Sequence, residues 1–250
     1  MAKIRNLALI DIPKLKKMIS MISNLSSADA ILDYTAYVPF PINLINRCLP
    51  LSLKFAQDSY VAIEDDKITG LITLKPQVKN PQSWRISKLF LDENGYDTGR
   101  QLISYVIAKY GAMGANTFTV KVDENHEELL ELFSKGCGFR VCASEQLWKM
   151  EEVKLTSQSL DKGFFRPFKN SDASVAASIH NELISPYFRY SLARTPAEFE
   201  NIICSGLYKT SFFKYVIEDR SKHSVKGYFS IQTSDNENFI LNVDLVSAFD

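Results

Sequence analysis

Hydrophobic and polar residues between positions 83 and 139 follow a pattern that predicts four consecutive elements. Residues 84–91 are mostly apolar, which is typical of a buried strand. From 100 to 110 the apolar residues recur at steps of three and four, which is the period of a helix with one buried face. Residues 117–122 alternate as a strand does, and 127–133 return to the helical period. This stretch therefore predicts strand, helix, strand and helix.

Strand signals flank this stretch on both sides. In the first 150 residues they lie at 3–7, 59–64, 67–74, 140–143 and 146–150. Asp65 and Asp66 form a tight turn between two of them, so that pair predicts a hairpin. Asp11 followed by Pro13 predicts the start of a helix after the first strand. Residues 23–51 contain three prolines and predict irregular structure around a short helix at 42–48.

The second half of the chain repeats the opening order of elements. Its helix signals are a cap at Asp172 and a capping box from Thr195 to Glu198, and the box predicts a helix that ends at Gly206. Its strand signals lie at 164–168, 212–218, 225–233 and 239–248. Because 151–162 is polar and lacks periodicity, the sequence predicts two domains, 1–150 and 163–250, joined by a linker.

The turn before the helix at 100–110 carries candidate chemistry. It reads Asn94-Gly95-Tyr96-Asp97-Thr98-Gly99. The first N–H groups of a helix have no partner inside the helix and carry partial positive charge, so a glycine-containing turn at this place favours an anion such as phosphate. Nucleotide-binding and acyl-CoA-binding folds both use this arrangement, and the turn alone does not choose between them.

Composition argues against several classes of function. The 250 residues contain 29 basic and 29 acidic side chains, so the net charge is zero and nothing favours nucleic acid or an anionic membrane. The sequence has no run of eighteen apolar residues and no signal peptide, which predicts a cytoplasmic protein without a membrane partner. The four cysteines and three histidines lack metal-ligand spacing, so no metal site is predicted.

The stretch from 83 to 139 resembles the GCN5-related N-acetyltransferases (GNAT). In that family an Arg/Gln-x-x-Gly-x-Gly/Ala turn precedes a helix, and its N–H groups hold the pyrophosphate of acetyl-CoA. Asn94 matches the Arg/Gln position of this motif, Asp97 the middle glycine and Gly99 the last small position. The later Gly138-Phe139 pair is similar to the closing segment of the family, with one residue more than the usual spacing.

The resemblance implies an α+β (α/β) fold, with a GNAT-like mixed sheet flanked by helices and then a second, partial GNAT-like half that lacks the CoA-binding part. It also implies acetyl-CoA as the donor and a small-molecule or protein amine as the acceptor. The residues that would bind acetyl-CoA are those of the strand end and the turn: Leu89, Phe90, Leu91, Asn94, Gly95, Tyr96, Asp97, Thr98, Gly99 and Arg100.

Two departures from the family pattern weaken the expected CoA binding and catalysis. Asp97 puts a carboxylate where the family has glycine, and two like charges about 5 Å apart repel by roughly 3 kcal/mol at an effective dielectric near 20. A helix N-cap is the alternative role for Asp97. The family's tyrosine, which reprotonates the CoA thiolate, is absent because the matching positions hold Phe133 and Ser134. The remaining catalytic candidates are Glu93 and His126 as bases and Ser134 as a hydrogen-bond donor.

Two functions therefore stay open at the level of sequence. The first is acetyl transfer from acetyl-CoA to an amine, with a first domain that is weak or inactive. The alternative is a non-catalytic GNAT-like module that serves domain–domain or protein–protein contact. The apolar strand predicted at 239–248 would leave an uncovered edge, so we also expect contact between the two halves or a homodimer.

Overall fold

A computed structural model of the chain describes residues 2–21, 31, 58–77, 80–92, 95–146, 148, 164–201, 211–219, 224–233 and 237–246. The chain divides into unit 1, Met1–Val141, and unit 2, Cys142–Asp250. Each unit has its own sheet, and helices pack on it, so the predicted α+β class with a mixed sheet followed by a second half is confirmed. The predicted linker at 151–162 and the predicted helix at 42–48 lie outside the described residues.

Unit 1 contains a five-stranded sheet in the order β1-β2-β3-β4-β5. Its strands are β1 (Lys3–Asn6), β2 (Asp58–Glu64), β3 (Lys67–Gln77), β4 (Asn80–Leu91) and β5 (Thr117–Thr119). Neighbouring strands are antiparallel except β4 and β5, which run parallel. The predicted hairpin is confirmed, because Asp65 and Asp66 join β2 to β3 with φ values of 47° and 60°, the left-handed conformation of tight hairpin turns.

Helices cover both faces of this sheet. On one face lies α1 (Ile12–Met21), whose Met18 packs with Val61 and Leu71. The other face carries α2 (Tyr96–Ala112) and α3 (Glu127–Glu131), which a π-helical turn extends over Leu132–Gly136. Leu102, Val106 and their neighbours on α2 are fully buried and form the main core with the strands. In the described residues no helix is long and apolar enough to cross a membrane.

Several predicted boundaries in unit 1 are wrong. Helix α2 begins at Tyr96 rather than Arg100, because the residues read as a turn already pack as a helical turn against the sheet. Strand β5 ends at Thr119 instead of continuing to Val122. Strand β3 extends beyond the predicted end at 74, and β4 begins at Asn80 rather than at 84. The hairpin predicted after Phe139 is absent from described residues 140–146 and 148, which contain no strand.

Unit 2 contains a four-stranded antiparallel sheet in the order β6-β7-β8-β9. The strands are β6 (Phe165–Pro167), β7 (Ser211–Asp219), β8 (Ser224–Thr233) and β9 (Ile240–Leu245), and the helices are α4 (Ala173–Leu183), α5 (Arg189–Leu192) and α6 (Pro196–Phe199). The predicted capping box is confirmed, since the N–H of Thr195 donates to Oε1 of Glu198 at 3.0 Å. Extended backbone at Glu200 ends α6 after Phe199, and the predicted end at Gly206 lies outside the described residues.

The two units begin with the same ion pair in the same structural position. In unit 1, Arg5 on β1 donates twice to the carboxylate of Asp11 at 2.6 Å, and the N–H of Ala8 donates to the same carboxylate at 2.8 Å. In unit 2, Arg166 on β6 donates twice to Asp172 at 2.7 and 2.9 Å, and a backbone N–H three residues before Asp172 donates at 2.8 Å. Each arginine lowers the pKa of its aspartate by hydrogen bonding. The pair fixes the first strand to the start of the first helix in both units.

Candidate functional site

The parallel strands β4 and β5 pair over three residues, which are the whole of β5 but only part of β4. Their ladder joins Ser83 to Thr117 and ends where Arg85 pairs with Thr119, whereas β4 continues as far as Leu91. Directly after this last pair β4 contains a bulge, because Leu74 and Thr73 of β3 pair with Ile86 and Lys88 and leave Ser87 as an extra residue. A bulge bends a strand and increases its twist. The bulge therefore lies where the two strands stop pairing.

The backbone of β4 beyond the bulge is oriented by its bonds to β3. The N–H of Asp92 donates to the carbonyl of Thr69 at 3.1 Å, so by the alternation of an antiparallel ladder Phe90 also points its N–H toward β3. The N–H groups of Leu89 and Leu91 then point to the opposite edge of β4, on the side where β5 has ended. Of the three residues predicted to offer their backbone, these two direct donors to that edge.

Helix α2 begins immediately after this edge. Gly95 is its N-cap, and the N–H of Gly99 donates to the carbonyl of Gly95 at 2.7 Å. The N–H groups of Tyr96, Asp97 and Thr98 precede this bond and lie at the helix N-terminus, where partial positive charge collects. The predicted anion-binding element is thus a helix N-terminus at the C-terminal end of β4.

Two glycines allow α2 to start this close to the strand. A Cβ on Gly95 would lie 2.4 Å from Cβ of Leu91 and 2.9 Å from the carbonyl oxygen of Asp92. A Cβ on Gly99 would lie 2.8 Å from side-chain carbons of both Leu91 and Leu132. Larger residues at either position would push the N-terminus of α2 away from the end of β4. The small positions of the turn are therefore required by packing, independently of any ligand.

Asp97 is not the N-cap, which corrects the alternative role that the sequence suggested. It is the second residue of α2, and its side chain is 76% exposed. One carboxylate oxygen lies 3.3 Å from the guanidinium of Arg100, one helical turn later. The carboxylate is thus directed to solvent and to a cation, so its repulsion of a bound anion is smaller than an unscreened pair of charges would give.

The closing segment of unit 1, which runs from Leu132 to Phe139, contains a π-helical turn at Leu132–Gly136. This turn can hold the one residue by which the segment exceeds the usual spacing of the motif. A π turn contains more residues than an α turn, so an insertion fits without breaking the helix. Gly138 then ends the helix with a positive φ of 74°, and the N–H of Phe139 donates to the carbonyl of Phe133 at 2.9 Å. The rings of Phe133 and Phe139 meet edge to face at 5.2 Å. The Gly-Phe pair therefore terminates the helix and returns the chain to the core.

The predicted catalytic residues differ in what their side chains can do. The hydroxyl of Ser134 donates to the carbonyl of Leu130 at 2.5 Å, so its proton is held by its own helix. His126 is the N-cap of α3, seven residues after the end of β5. Glu93 and Asn94 lie outside the described residues.

Tyr96 brings a phenol to the closing segment, a feature that sequence reasoning missed. Its hydroxyl lies 2.9 Å from where a Cβ on Gly136 would stand, and its side chain is 45% exposed. The sequence placed Tyr96 in the turn as a backbone donor, and nothing in the pattern indicated a role for its side chain. The bulge at Ser87 was also missed, since nothing in the apolar pattern of 84–91 marks an extra residue.

An open groove of about 670 Å³ runs beside the first half of α2. Arg100, Gln101 and Ser104 of α2 line it, together with Gly136 of the closing segment. Oε1 of Gln101 is buried and has no hydrogen-bond partner among the described residues. The groove thus has a cation, Arg100, next to the N-terminus of α2.

The far end of α2 is fixed by a buried hydrogen-bond chain. The hydroxyl of Tyr110 donates to Asp58 at 2.5 Å and lies 2.9 Å from the hydroxyl of Tyr60. Burial, followed by the bond to Asp58, raises the pKa of Tyr110 above its usual range, so the phenol stays neutral and keeps its proton. The ring of Trp84 packs at 4.1 Å on the same tyrosine. This anchor holds α2 on the sheet and so positions its N-terminus.

Comparison with known proteins gives structural matches only. No family model matches the chain, and no curated protein matches it either. One matching structure is the GNAT domain of the Streptomyces lividans protein PAT, with 11% identity, a TM-score of 0.41, and coverage of 54% of this chain and 80% of that one. A Bacillus subtilis acetyltransferase in complex with CoA has 20% identity, a TM-score of 0.37, and coverage of 60% and 90%. An aminoglycoside acetyltransferase from an uncultured soil metagenomic sample, in complex with sisomicin, has 21% identity, a TM-score of 0.39, and coverage of 62% and 97%.

Proposed function

We propose that unit 1 binds acetyl-CoA at the edge of the sheet where β4 ends, and that it transfers the acetyl group to an amine. The observation that carries this proposal is that β4 continues past its last pair with β5, at Arg85 and Thr119, toward the N-terminus of α2. A separated strand edge offers backbone donors to a carbonyl, and a helix N-terminus offers donors to phosphate. The two requirements of an acyl-CoA ligand are met next to each other.

The residues present fit the phosphate end of such a ligand. Gly95 and Gly99 keep the N-terminus of α2 close to β4, so the N–H groups of Tyr96, Asp97 and Thr98 are the proposed pyrophosphate donors. The guanidinium of Arg100 is 55% exposed beside this turn and adds positive charge. The carboxylate of Asp97 opposes binding, and we expect an affinity in the micromolar range rather than tighter.

The acyl end would lie along β4. Acetyl-CoA supplies the acetyl group as an activated thioester. The backbone N–H of Leu91 is the proposed donor to the thioester carbonyl, because by the alternation of the ladder it points away from β3, to the edge of β4 beyond its last pair with β5. Such preorganised donors stabilise the charge that develops on a carbonyl oxygen under attack.

Proton transfer needs a base for the amine and an acid for the leaving thiolate. His126 is the proposed base within the described residues, because it is an imidazole at the start of α3, on the chain segment that follows β5. Glu93 is the second proposed base. Tyr96 is the proposed acid in place of Ser134, because its phenol is exposed while the proton of Ser134 is bound to Leu130.

The second candidate function is a non-catalytic module that keeps the fold for protein–protein contact. The carboxylate of Asp97 at the phosphate end and the bound hydroxyl of Ser134 favour it. It differs from the first candidate in one measurable respect, because a module of this kind releases no CoA.

Calorimetric titration of acetyl-CoA into the full chain, followed by a free-thiol assay with a panel of amines, separates these functions. Binding with one site and amine-dependent thiol release supports the transferase. Binding without release for every amine favours the module. No heat of binding at millimolar acetyl-CoA contradicts the proposal that unit 1 is an acetyl-CoA site.

A further inference from the structure

One face of the unit 2 sheet is covered by α4, and the opposite face is apolar and, among the described residues, open. Val216 and Tyr228 pack with the alanines of α4, and His180 of α4 lies 3.2 Å from Asp244. Side chains alternate along a strand, so the neighbours of these residues face the other way. On that side Val243 is 47% exposed. Phe213, Leu241 and Leu245 on the same side are 48%, 59% and 40% exposed.

The sheets of the two units correspond residue by residue. In unit 1, Gly70 of β3 pairs with Ala62, and the ladder then skips one residue of β3. In unit 2, Gly227 of β8 pairs with Ile217, and the ladder skips one residue of β8 at the same place. The same glycines pair on their other side with Leu91 and with Leu245. This register makes β7, β8 and β9 the equivalents of β2, β3 and β4.

Positions that are open in unit 2 are buried by α2 in unit 1. Tyr60, Ile72 and Leu89 are 3%, 0% and 0% exposed, and they form the core with α2. By register their equivalents are Tyr215, Phe229 and Val243, which are half-buried or exposed. The equivalent positions thus carry apolar side chains in both units, and in unit 1 a helix covers them.

The shared glycine shows how closely that helix approaches. A Cβ on Gly70 would lie 2.8 Å from Leu102 and 2.9 Å from Thr98, which both belong to α2. Glycine inside a strand is unfavourable and commonly marks a place where another element comes close. Unit 2 keeps a glycine, Gly227, at this position of β8, where a Cβ would lie 2.6 Å from the side chain of Leu245 and 3.1 Å from that of Ile217, its neighbours on β9 and β7.

We propose that the open face of the unit 2 sheet, formed by β7, β8 and β9, is a docking surface for an amphipathic α-helix. The helix would lie across these strands as α2 lies across β2, β3 and β4. Its contact side would carry apolar residues at helical spacing, as Leu102, Val106 and Tyr110 do on α2, because the described side chains on this face include rings and aliphatic groups. This inference does not depend on acetyl-CoA binding by unit 1.

A labelled peptide with the sequence 95–114, which contains α2, tests the proposal on the full chain. Fluorescence anisotropy measures its binding to the wild type, to Val243→Lys and to Asn242→Lys. Both variants add the same charge to β9, but Val243 faces the open side and Asn242 the side of α4. A second peptide with Val106→Asp interrupts the apolar stripe and serves as the control for non-specific binding. Thermal unfolding verifies that both variants remain folded.

The proposal predicts that the wild type and Asn242→Lys bind the first peptide alike and that Val243→Lys binds it at least tenfold more weakly. The second peptide should bind at least tenfold more weakly to every protein. Equal binding by Val243→Lys, or no binding by the wild type, overturns the proposal. Light scattering that gives a dimer for the wild type and a monomer for Val243→Lys also overturns it, because a second copy of the chain then occupies the face.

Discussion

Asp97 stands in the first turn of α2 with its carboxylate in contact with Arg100 rather than with the backbone. Replacing it by asparagine keeps the shape of the side chain and removes the charge. We expect Asp97→Asn to tighten acetyl-CoA binding by about three- to tenfold, since the carboxylate repels phosphate but is screened by exposure and by its partner. Calorimetry at low and high salt measures the change, which should shrink as salt rises.

Glu182→Gln is the control for this comparison, because it removes the same charge from unit 2. It should leave acetyl-CoA affinity unchanged. An Asp97→Asn protein that binds no better than the wild type at low salt would show that charge at this turn does not limit affinity.

Tyr96 and Ser134 are two hydroxyl groups with different freedom to give up a proton. Tyr96→Phe should lower kcat at least tenfold and leave the affinity for acetyl-CoA within about twofold, since only the proposed acid is lost. Ser134→Ala should change kcat little, because the hydroxyl of Ser134 already donates its hydrogen bond to the carbonyl of Leu130. The reverse order of effects in a steady-state assay would assign the acid to Ser134.

The ion pair of Arg5 with Asp11 contributes stability that depends on pH. Hydrogen bonds from Arg5 lower the pKa of Asp11 below its unfolded value near 4, so the contribution is complete above about pH 4 and is lost as the pH falls through the folded pKa. Asp11→Asn should therefore destabilise unit 1 by about 1–3 kcal/mol near pH 7, with a smaller difference near pH 2.5. Urea unfolding at the two pH values measures this. A difference that does not shrink in acid would contradict the assignment.

At the scale of elements, α2 depends on glycine for a reason that the sequence only partly showed. Gly95→Ala places a Cβ against Leu91 and the carbonyl of Asp92, so we expect a loss of about 1–3 kcal/mol in stability and weaker acetyl-CoA binding. Gly111→Ala is the matched control in the same helix, because nothing lies within 4 Å of its position. It should stabilise the protein by about 0.5–1 kcal/mol. Thermal unfolding of both variants tests the pair, and equal effects would contradict the packing argument.

Periodicity predicted the existence of the elements better than their ends. The helical period of 102–110 gave α2, and the Asp65-Asp66 turn gave the hairpin, because local residues decide both. The first turn of α2 was read as a loop, since its Gly95 and Gly99 are set by contacts with Leu91 that no local pattern encodes. The bulge at Ser87 likewise arises from pairing between strands.

At the scale of the whole molecule, the repeat of strand, helix and three strands was readable from the order of elements. What the sequence could not show is how closely the repeat is kept, because pairing register is a property of two strands at once. The structure repeats the Arg–Asp pair, the bulge and the glycine of the central strand at equivalent positions in both units. Such agreement supports our interpretation that unit 2 repeats the strand, helix and three strands with which unit 1 begins.

The two equivalent ion pairs allow each unit to be followed separately. The chain has two tryptophans, and Trp84 packs against the core of unit 1 while Trp148 is 85% exposed. Tryptophan fluorescence should therefore report mainly the unfolding of unit 1. Asp11→Asn should shift the fluorescence transition, and Asp172→Asn should shift only the circular-dichroism signal. A fluorescence shift with Asp172→Asn would indicate that the units unfold as one.

Hydrogen–deuterium exchange with and without saturating acetyl-CoA tests the central claim most directly, because it reports the backbone donors themselves. The account predicts slower exchange in peptides that cover 87–100, where the end of β4 meets the N-terminus of α2, and unchanged exchange across β7, β8 and β9. Binding that protects unit 2 instead, or that leaves 87–100 unchanged, would contradict it.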